Sequence, residues 1–126
     1  MSGPSAIVTW SRAAVPAACS PPASRDRLTA LFTTDNVATL GTLDALLDLD
    51  ARIPGDVPVI GFDDAEWTTL IRPRLSVVSQ PVQELGGLAA DILIRRINGA
   101  AARPRRHTLN TTYIARESTG PVPARI

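Results

Sequence analysis

The middle of the chain shows one helical stretch between two short apolar runs. Residues 28–33 and residues 57–60 are mostly apolar, as in strands that lie inside parallel sheets. Residues 37–50 place apolar side chains at helical spacing, and a Pro-Gly turn at 53–56 separates that stretch from the second run. The order strand, helix, turn and strand predicts a βαβ unit with parallel strands.

Further strands and a helix are predicted in the second half of the chain. Residues 75–78 predict a strand, residues 81–98 a helix with one apolar face that Gly99 ends, and residues 107–114 a final strand. The Gly pair at 86–87 predicts close packing of this helix against a neighbour, because each Gly lowers helix stability by about 1 kcal/mol relative to Ala. Together these elements predict an α/β fold, a parallel sheet with flanking helices.

Composition divides the chain into three segments. Residues 1–27 are rich in Ala, Pro and Ser and show no lasting period, so we expect a largely disordered or poorly packed segment, or one foreign to the rest of the domain. Residues 28–120 carry the predicted elements, and residues 121–126 form a Pro-containing tail. The stretch Pro16-Ala-Ala-Cys19 is similar to a lipoprotein cleavage box, but it lacks a basic region before it, so export is not expected.

The charge and residue counts exclude several classes of function. The net charge is only +1, which provides no overall field to attract nucleic acid or an anionic membrane. Cys19 and His107 are single, so a structural zinc site or a Cys–His or Ser–His catalytic pair is not expected. No apolar run reaches the roughly 18 residues of a membrane span. We therefore expect no cofactor, no metal, no membrane and no enzymatic activity.

An acidic pair follows the second apolar run. Asp63 and Asp64 leave the carboxyl end of that predicted strand, where open α/β sheets bind their ligands, and Gly61 is expected to let the backbone turn there. Neighbouring side chains of an extended segment point to opposite faces, so one carboxylate should face a ligand while the other braces a loop. A carboxylate accepts two hydrogen bonds side by side, from sugar hydroxyls or from N–H groups of a base. A plain loop with a capping Asp remains the alternative.

Four motifs resemble one family when they are taken in order. They are Ala30-Leu-Phe-Thr-Thr-Asp-Asn-Val-Ala-Thr-Leu-Gly41, Ile53-Pro-Gly-Asp-Val-Pro-Val-Ile-Gly-Phe-Asp-Asp64, Pro73-Arg-Leu-Ser-Val-Val-Ser-Gln-Pro81 with Leu85-Gly86, and Ala115-Arg-Glu-Ser118. They resemble the C-terminal part of the effector-binding domain of LacI/GalR-type transcriptional regulators, over about residues 28–120. The resemblance implies part of a periplasmic-binding-protein-like I fold, in which two α/β lobes close on a small molecule.

The resemblance also implies a ligand site and a function. Asp63 would hydrogen-bond ligand hydroxyls, and Asp35 and Gln80 would line the same cleft. The chain is expected to be the effector-binding portion of a cytoplasmic, homodimeric transcriptional regulator. Sugars are the usual effectors of this family, but a purine effector would be bound by similar side-chain groups. The family usually has Asn-Asp or Asn-Asn where this chain has Asp35-Asn36. The side chain at ligand position 35 is therefore a carboxylate here instead of an amide.

Parts of the family pattern are not found in this sequence. The helix-turn-helix headpiece is not among the recognised motifs, so operator DNA is expected as a partner only through a headpiece absent from this chain. Residues 1–27 match nothing in the family pattern. The alternatives are a solute-binding protein of a sugar importer, which shares the fold, and a non-functional gene fragment.

Overall fold

The computed structural model describes residues 6–8, 29–99, 103 and 105–121; at residues 6–8 it describes only the backbone. These residues belong to two compact units. The first comprises the described parts of Met1–Ser79 and Tyr113–Ile126, and the second comprises those of Gln80–Thr112.

A sheet with parallel central strands forms the first unit. In chain order the described strands are β1 (Ala6–Val8), β2 (Leu31–Thr33), β3 (Val59–Phe62), β4 (Ser76–Ser79) and β5 (Thr112–Ile114), and the same order holds across the sheet. Strand β1 pairs parallel with β2, β2 with β3, and β3 with β4. The α/β fold class with a parallel sheet, expected from the sequence, is confirmed.

Strand β1 was not expected from the sequence. Ala6 pairs with Leu31 and Val8 with Thr33, so residues 6–8 extend the sheet beyond β2. They lie inside the segment for which we expected little ordered structure. Three residues are too few to give a period, but a parallel neighbour supplies their hydrogen bonds. The rest of residues 1–27, and the tail after residue 121, lie outside the described residues.

Helix α1 (Asn36–Asp48) connects β2 to β3. Asp35 has an extended backbone and its side chain accepts a hydrogen bond from the backbone N–H of Ala38 at 2.8 Å, which makes it the N-cap of this helix. Leu49 is the C-cap of the helix, and Asp50 follows with φ of 52°, the left-handed conformation common after helices. The buried face of α1 consists of Thr39, Thr42, Ala45 and Leu46.

One face of the sheet forms the core against this helix. Leu31 and Val59 oppose each other across β2 and β3, and both are buried together with Leu46 of α1. Trp67 is half-buried against the same cluster. The other face is less covered, because Phe32 and Phe62 stay half-buried there in an edge-to-face pair with centroids 6.4 Å apart. The buried apolar cluster is Leu31, Ala45, Leu46, Val57, Val59, Leu75 and Val77.

Gly61 serves packing rather than turning. It lies inside β3, and a Cβ on its backbone would stand 2.8 Å from Leu75 Cδ2 and 3.3 Å from Thr39 Cγ2. The expectation that Gly61 provides a turn is therefore wrong, because the strand continues through it to Phe62. Its missing side chain lets α1 and residue 75 approach the sheet closely.

Replacing Gly61 with Ala is expected to destabilise the chain by about 1–3 kcal/mol, the usual effect of forcing extra volume into a packed core. Gly41→Ala is the matched control, because a Cβ there meets nothing within 4 Å and Ala favours the helix. Urea unfolding measures both. An unchanged free energy of unfolding for Gly61→Ala would contradict the close packing.

The second unit contains helix α2 (Val82–Ile97). Within the described residues none of its side chains is buried, so the apolar face predicted for this helix is exposed. A Cβ at Gly86 or Gly87 would meet nothing within 4 Å, so the close packing expected there is not observed. Arg105, Arg106 and His107 are exposed after the helix.

Candidate functional site

Asp35 lies where β2 ends and α1 begins, and several hydrogen bonds fix its position. The hydroxyl of Thr39 donates to the backbone oxygen of Asp35 at 2.6 Å, and the backbone N–H of Thr39 donates to the same oxygen at 3.0 Å. The hydroxyls of Thr33 and Thr39 are also hydrogen-bonded at 2.7 Å, and Thr33 donates to the backbone oxygen of Ile60 at 3.2 Å. This buried threonine pair attaches the start of the helix to β2 and β3.

Asp63 follows β3 with an uncommon backbone conformation. Its φ is 73°, in the left-handed region that few residues other than Gly adopt, although Asp and Asn tolerate it best. Its backbone N–H donates to the oxygen of Val78 in β4 at 2.9 Å. The described chain has a second non-Gly residue with positive φ, Asp50, but that residue ends a helix. At Asp63 the conformation instead redirects the chain at a strand end, as often occurs at binding sites.

Asp64 is the carboxylate that braces the loop. Arg116 Nη2 donates to Asp64 Oδ1 at 2.7 Å, and the two side chains are 14% and 26% exposed. The hydroxyl of Thr68 lies 3.0 Å from the same carboxylate oxygen and 2.6 Å from the backbone oxygen of Ala65. The sequence predicted that one member of the acidic pair would brace a loop, and Asp64 has these contacts.

Gln80 directly follows β4 and is the first residue of the second unit. Its backbone oxygen accepts from the N–H of Val82 at 2.9 Å, at the start of α2. Of the three site residues expected from the sequence, Asp35 and Asp63 thus follow adjacent parallel strands at one edge of the sheet. Gln80 belongs to the other unit.

Asn36 adds a group that the sequence interpretation did not select. Its Oδ1 is buried, and it is the one buried side-chain acceptor among the described residues without a hydrogen-bond partner. It stands beside Asp35 at the carboxyl end of β2. The family usually has Asn-Asp or Asn-Asn where this chain has Asp35-Asn36, and this difference could have drawn attention to Asn36. Carboxylate and amide oxygens at this edge are suited to a ligand that donates several hydrogen bonds.

Ser118 was also missed as an interacting residue. It is fully buried; its hydroxyl donates to the backbone oxygen of Val59 at 2.6 Å and accepts from the N–H of Ser76 at 2.7 Å. Its backbone oxygen accepts from the N–H of Val59 at 3.0 Å. The C-terminal segment therefore holds the starts of β3 and β4 together. A single serine far along the chain gives no periodic signal of this role.

The described part of the chain has neither a cluster of metal ligands nor a helix that could span a membrane. There, no group of three or more His, Cys, Asp and Glu side chains is arranged to hold a metal ion. No helix within these residues has the length and apolar character needed to cross a membrane.

Known proteins resemble this chain in both sequence and fold. The family described as periplasmic binding protein-like domain matches residues 3–119. The probable opine utilization operon repressor of Rhizobium rhizogenes is 44% identical over 86 residues, which are 68% of this chain and 43% of that protein. The ribose operon repressor of Escherichia coli K12 is 36% identical over 89 residues, 71% of this chain and 27% of that protein.

A solved structure shows the same arrangement of elements. The LacI family transcriptional regulator from Enterococcus faecalis V583, crystallised with bound ribose, superposes with a TM-score of 0.74 at 29% identity. The superposition covers 87% of this chain and 39% of that chain. The chain thus spans less than half the length of each of these relatives.

Proposed function

Because the chain belongs to the periplasmic binding protein-like domain family and is part of a LacI/GalR-type effector-binding domain, we propose that it supplies effector contacts in a sugar-responsive transcriptional regulator. One observation carries the proposal. Asp35 and Asp63 leave the carboxyl ends of adjacent parallel strands, the edge at which α/β sheets bind ligands.

The chemistry of this edge fits a polyhydroxylated ligand. In the proposal Asp63 accepts hydrogen bonds from two neighbouring hydroxyls, and Asp35 and Gln80 are the further predicted effector contacts. Asp35 already accepts from the N–H of Ala38, which fixes its carboxylate relative to the helix. A ribose-bound relative and a ribose operon repressor among the similar proteins support a sugar as the effector class.

In the intact regulator, effector binding would be coupled to DNA binding. An effector that binds one lobe arrangement better than the other changes operator affinity, and DNA changes effector affinity by the same factor. Operator DNA would be contacted by the DNA-binding headpiece of the regulator, and the regulator would act in the cytoplasm. The role is binding rather than catalysis. The importer alternative has less support, because the curated relatives are repressors.

The outer side of α1 supports the proposed homodimer. Val37, Leu40 and Leu47 lie on one side of the helix at helical spacing and are 66%, 50% and 73% exposed. Leu70, which follows the 3₁₀ helix Glu66–Thr69, is 76% exposed. Exposed apolar side chains arranged in this way mark interaction surfaces.

Leu40→Glu is therefore expected to convert the dimer to a monomer, because it places a charge within the apolar stripe of α1. Light scattering after size-exclusion chromatography gives the mass. Arg105→Glu, at an exposed position that already carries a charged side chain, is the control and should leave the mass unchanged. If Leu40→Glu has the same mass as the unmodified protein at every concentration, α1 does not form the interface.

The function itself is tested by isothermal titration against neutral sugars, beginning with D-ribose, and against a purine base. Saturable binding of a sugar, with weaker or no binding of the base, supports the proposal. Binding of the base alone would replace the sugar assignment. If none of these molecules binds to a regulator that contains this chain, the proposal fails.

A further inference from the structure

One of the four family motifs has no part in the proposed effector contacts. It is the segment Ala115-Arg-Glu-Ser118. Two of its residues hold the sheet. Ser118 bridges the starts of β3 and β4, and Glu117 Oε2 accepts from the backbone N–H of Arg74 at 2.9 Å. The backbone N–H of Arg116 donates to the hydroxyl of Ser76 at 2.8 Å. The segment is thus fixed at the start of β4.

The Arg116 side chain reaches from this fixed segment to the loop that leaves the other end of β3. Its Nη1 donates to the backbone oxygen of Leu75 at 3.0 Å and lies 2.9 Å from the hydroxyl of Thr68, while Nη2 donates to Asp64. At 14% exposure the guanidinium is shielded from solvent, so its contacts are stronger than those of an ordinary surface ion pair. Arg116 therefore joins the starts of the strands to the acidic loop.

This contact matters because of the residue beside Asp64. Asp63 has φ of 73°, and such conformations persist when the surrounding contacts hold them. The N–H of Asp63 is bonded to Val78 on one side, and Asp64 is bonded to Arg116 on the other. The peptide that sets the direction of the Asp63 side chain thus has an anchor on each side.

We propose that Arg116 is a positioning residue for the effector site: through Asp64 it holds the backbone that aims Asp63 at the ligand. The proposal rests on the function proposed above, because it gives Asp63 an effector to face. Arg116 itself does not touch the effector. Its role is to keep the loop in the binding geometry before the ligand arrives.

Amide hydrogen exchange of the unliganded chain tests the anchor without any effector. In Arg116→Met, the Asp63 amide should exchange roughly ten- to a hundredfold faster, the factor that corresponds to losing a charge-assisted hydrogen bond. The Thr39 amide, which is bonded to Asp35 in α1, should exchange at its original rate. An unchanged exchange rate at Asp63 would overturn the proposal for Arg116, even if sugars bind. If the Asp63 amide exchanges faster as expected but no sugar binds, only the proposed effector function is overturned.

Arg52→Met is the matched control. It breaks another Arg–Asp pair, in which Arg52 Nη2 lies 2.8 Å from Asp56 Oδ1, but this pair is exposed. The hydrogen bond and charge of Asp56 raise the pKa of Arg52. We expect no change in exchange at Asp63. An equal acceleration in Arg52→Met would show general loosening and contradict a specific role for Arg116.

Asp64→Ala and Arg116→Lys separate positioning from general stability. If Arg116 acts through Asp64, adding Arg116→Met to Asp64→Ala should change the Asp63 exchange rate by less than twofold. Arg116→Lys should recover part of the protection, because it keeps the charge opposite Asp64. In the regulator with bound D-ribose, Arg116→Met and Asp64→Ala should weaken binding by the same factor. Additive effects would show that Arg116 acts through its other contacts and would reject the proposal.

Discussion

Asp63→Asn is expected to weaken sugar binding by about 2–4 kcal/mol, roughly 30- to 1000-fold, because it removes a charged acceptor of two ligand hydrogen bonds. Asn is the substitution that isolates this effect. It keeps the size of the side chain and tolerates the positive φ, whereas Ala would add backbone strain. Isothermal titration gives the affinity, and thermal unfolding without ligand gives the stability. The unfolding midpoint should stay the same.

Asp50→Asn is the control for this experiment. Asp50 also has positive φ, but it is exposed at the end of α1 and is not assigned to the site. Its replacement should leave sugar affinity unchanged. Unaltered binding in Asp63→Asn, or a large loss of unliganded stability, would show that Asp63 supports the loop rather than the ligand.

Ser118→Ala is expected to lower the free energy of unfolding by about 2–4 kcal/mol. The substitution removes the donor to the Val59 oxygen and the acceptor for the Ser76 N–H in a fully buried position. Each buried polar group that loses its partner costs about 1–3 kcal/mol. Urea unfolding, with both the midpoint and the slope fitted, measures the loss.

Thr69→Val is the comparison for the Ser118 result. It removes one hydroxyl that donates to the Glu66 oxygen on the exposed 3₁₀ helix, and surface changes of this kind stay within about 0.5 kcal/mol. If Ser118→Ala is no more destabilising than Thr69→Val, Ser118 does not hold the strands together.

The sequence predicted the parallel βαβ unit because its signals are local. Apolar runs indicate buried strands, helical spacing indicates α1, and Asp35 is a residue type that caps helices. The observed helix, Asn36–Asp48, lies close to the predicted residues 37–50. The observed strand β3, Val59–Phe62, is shifted from the predicted residues 57–60, because its end is set by pairing with β4 rather than by the apolar run.

Features that depend on distant contacts could not be predicted in this way. Gly61 looked like a turn residue, and only the approach of Leu75, 14 residues later by sequence number, shows why it is Gly. Ser118 reaches Val59 across 59 residues, and strand β1 is defined by its pairing with β2. The apolar face of α2 gave a clear periodic signal, but a period does not show what covers the face. Asp35, Asp63 and Gln80 remain predicted effector contacts.

The most direct measurement is an NMR titration of the isotope-labelled chain with D-ribose up to its solubility limit, with amide shifts followed residue by residue. Effector binding at the sheet edge predicts saturable shifts at Asp35, Asn36, Asp63 and Asp64, which Asp63→Asn abolishes. No saturable shift at these four residues, or shifts confined to α2, would contradict the assignment of this edge as the effector site.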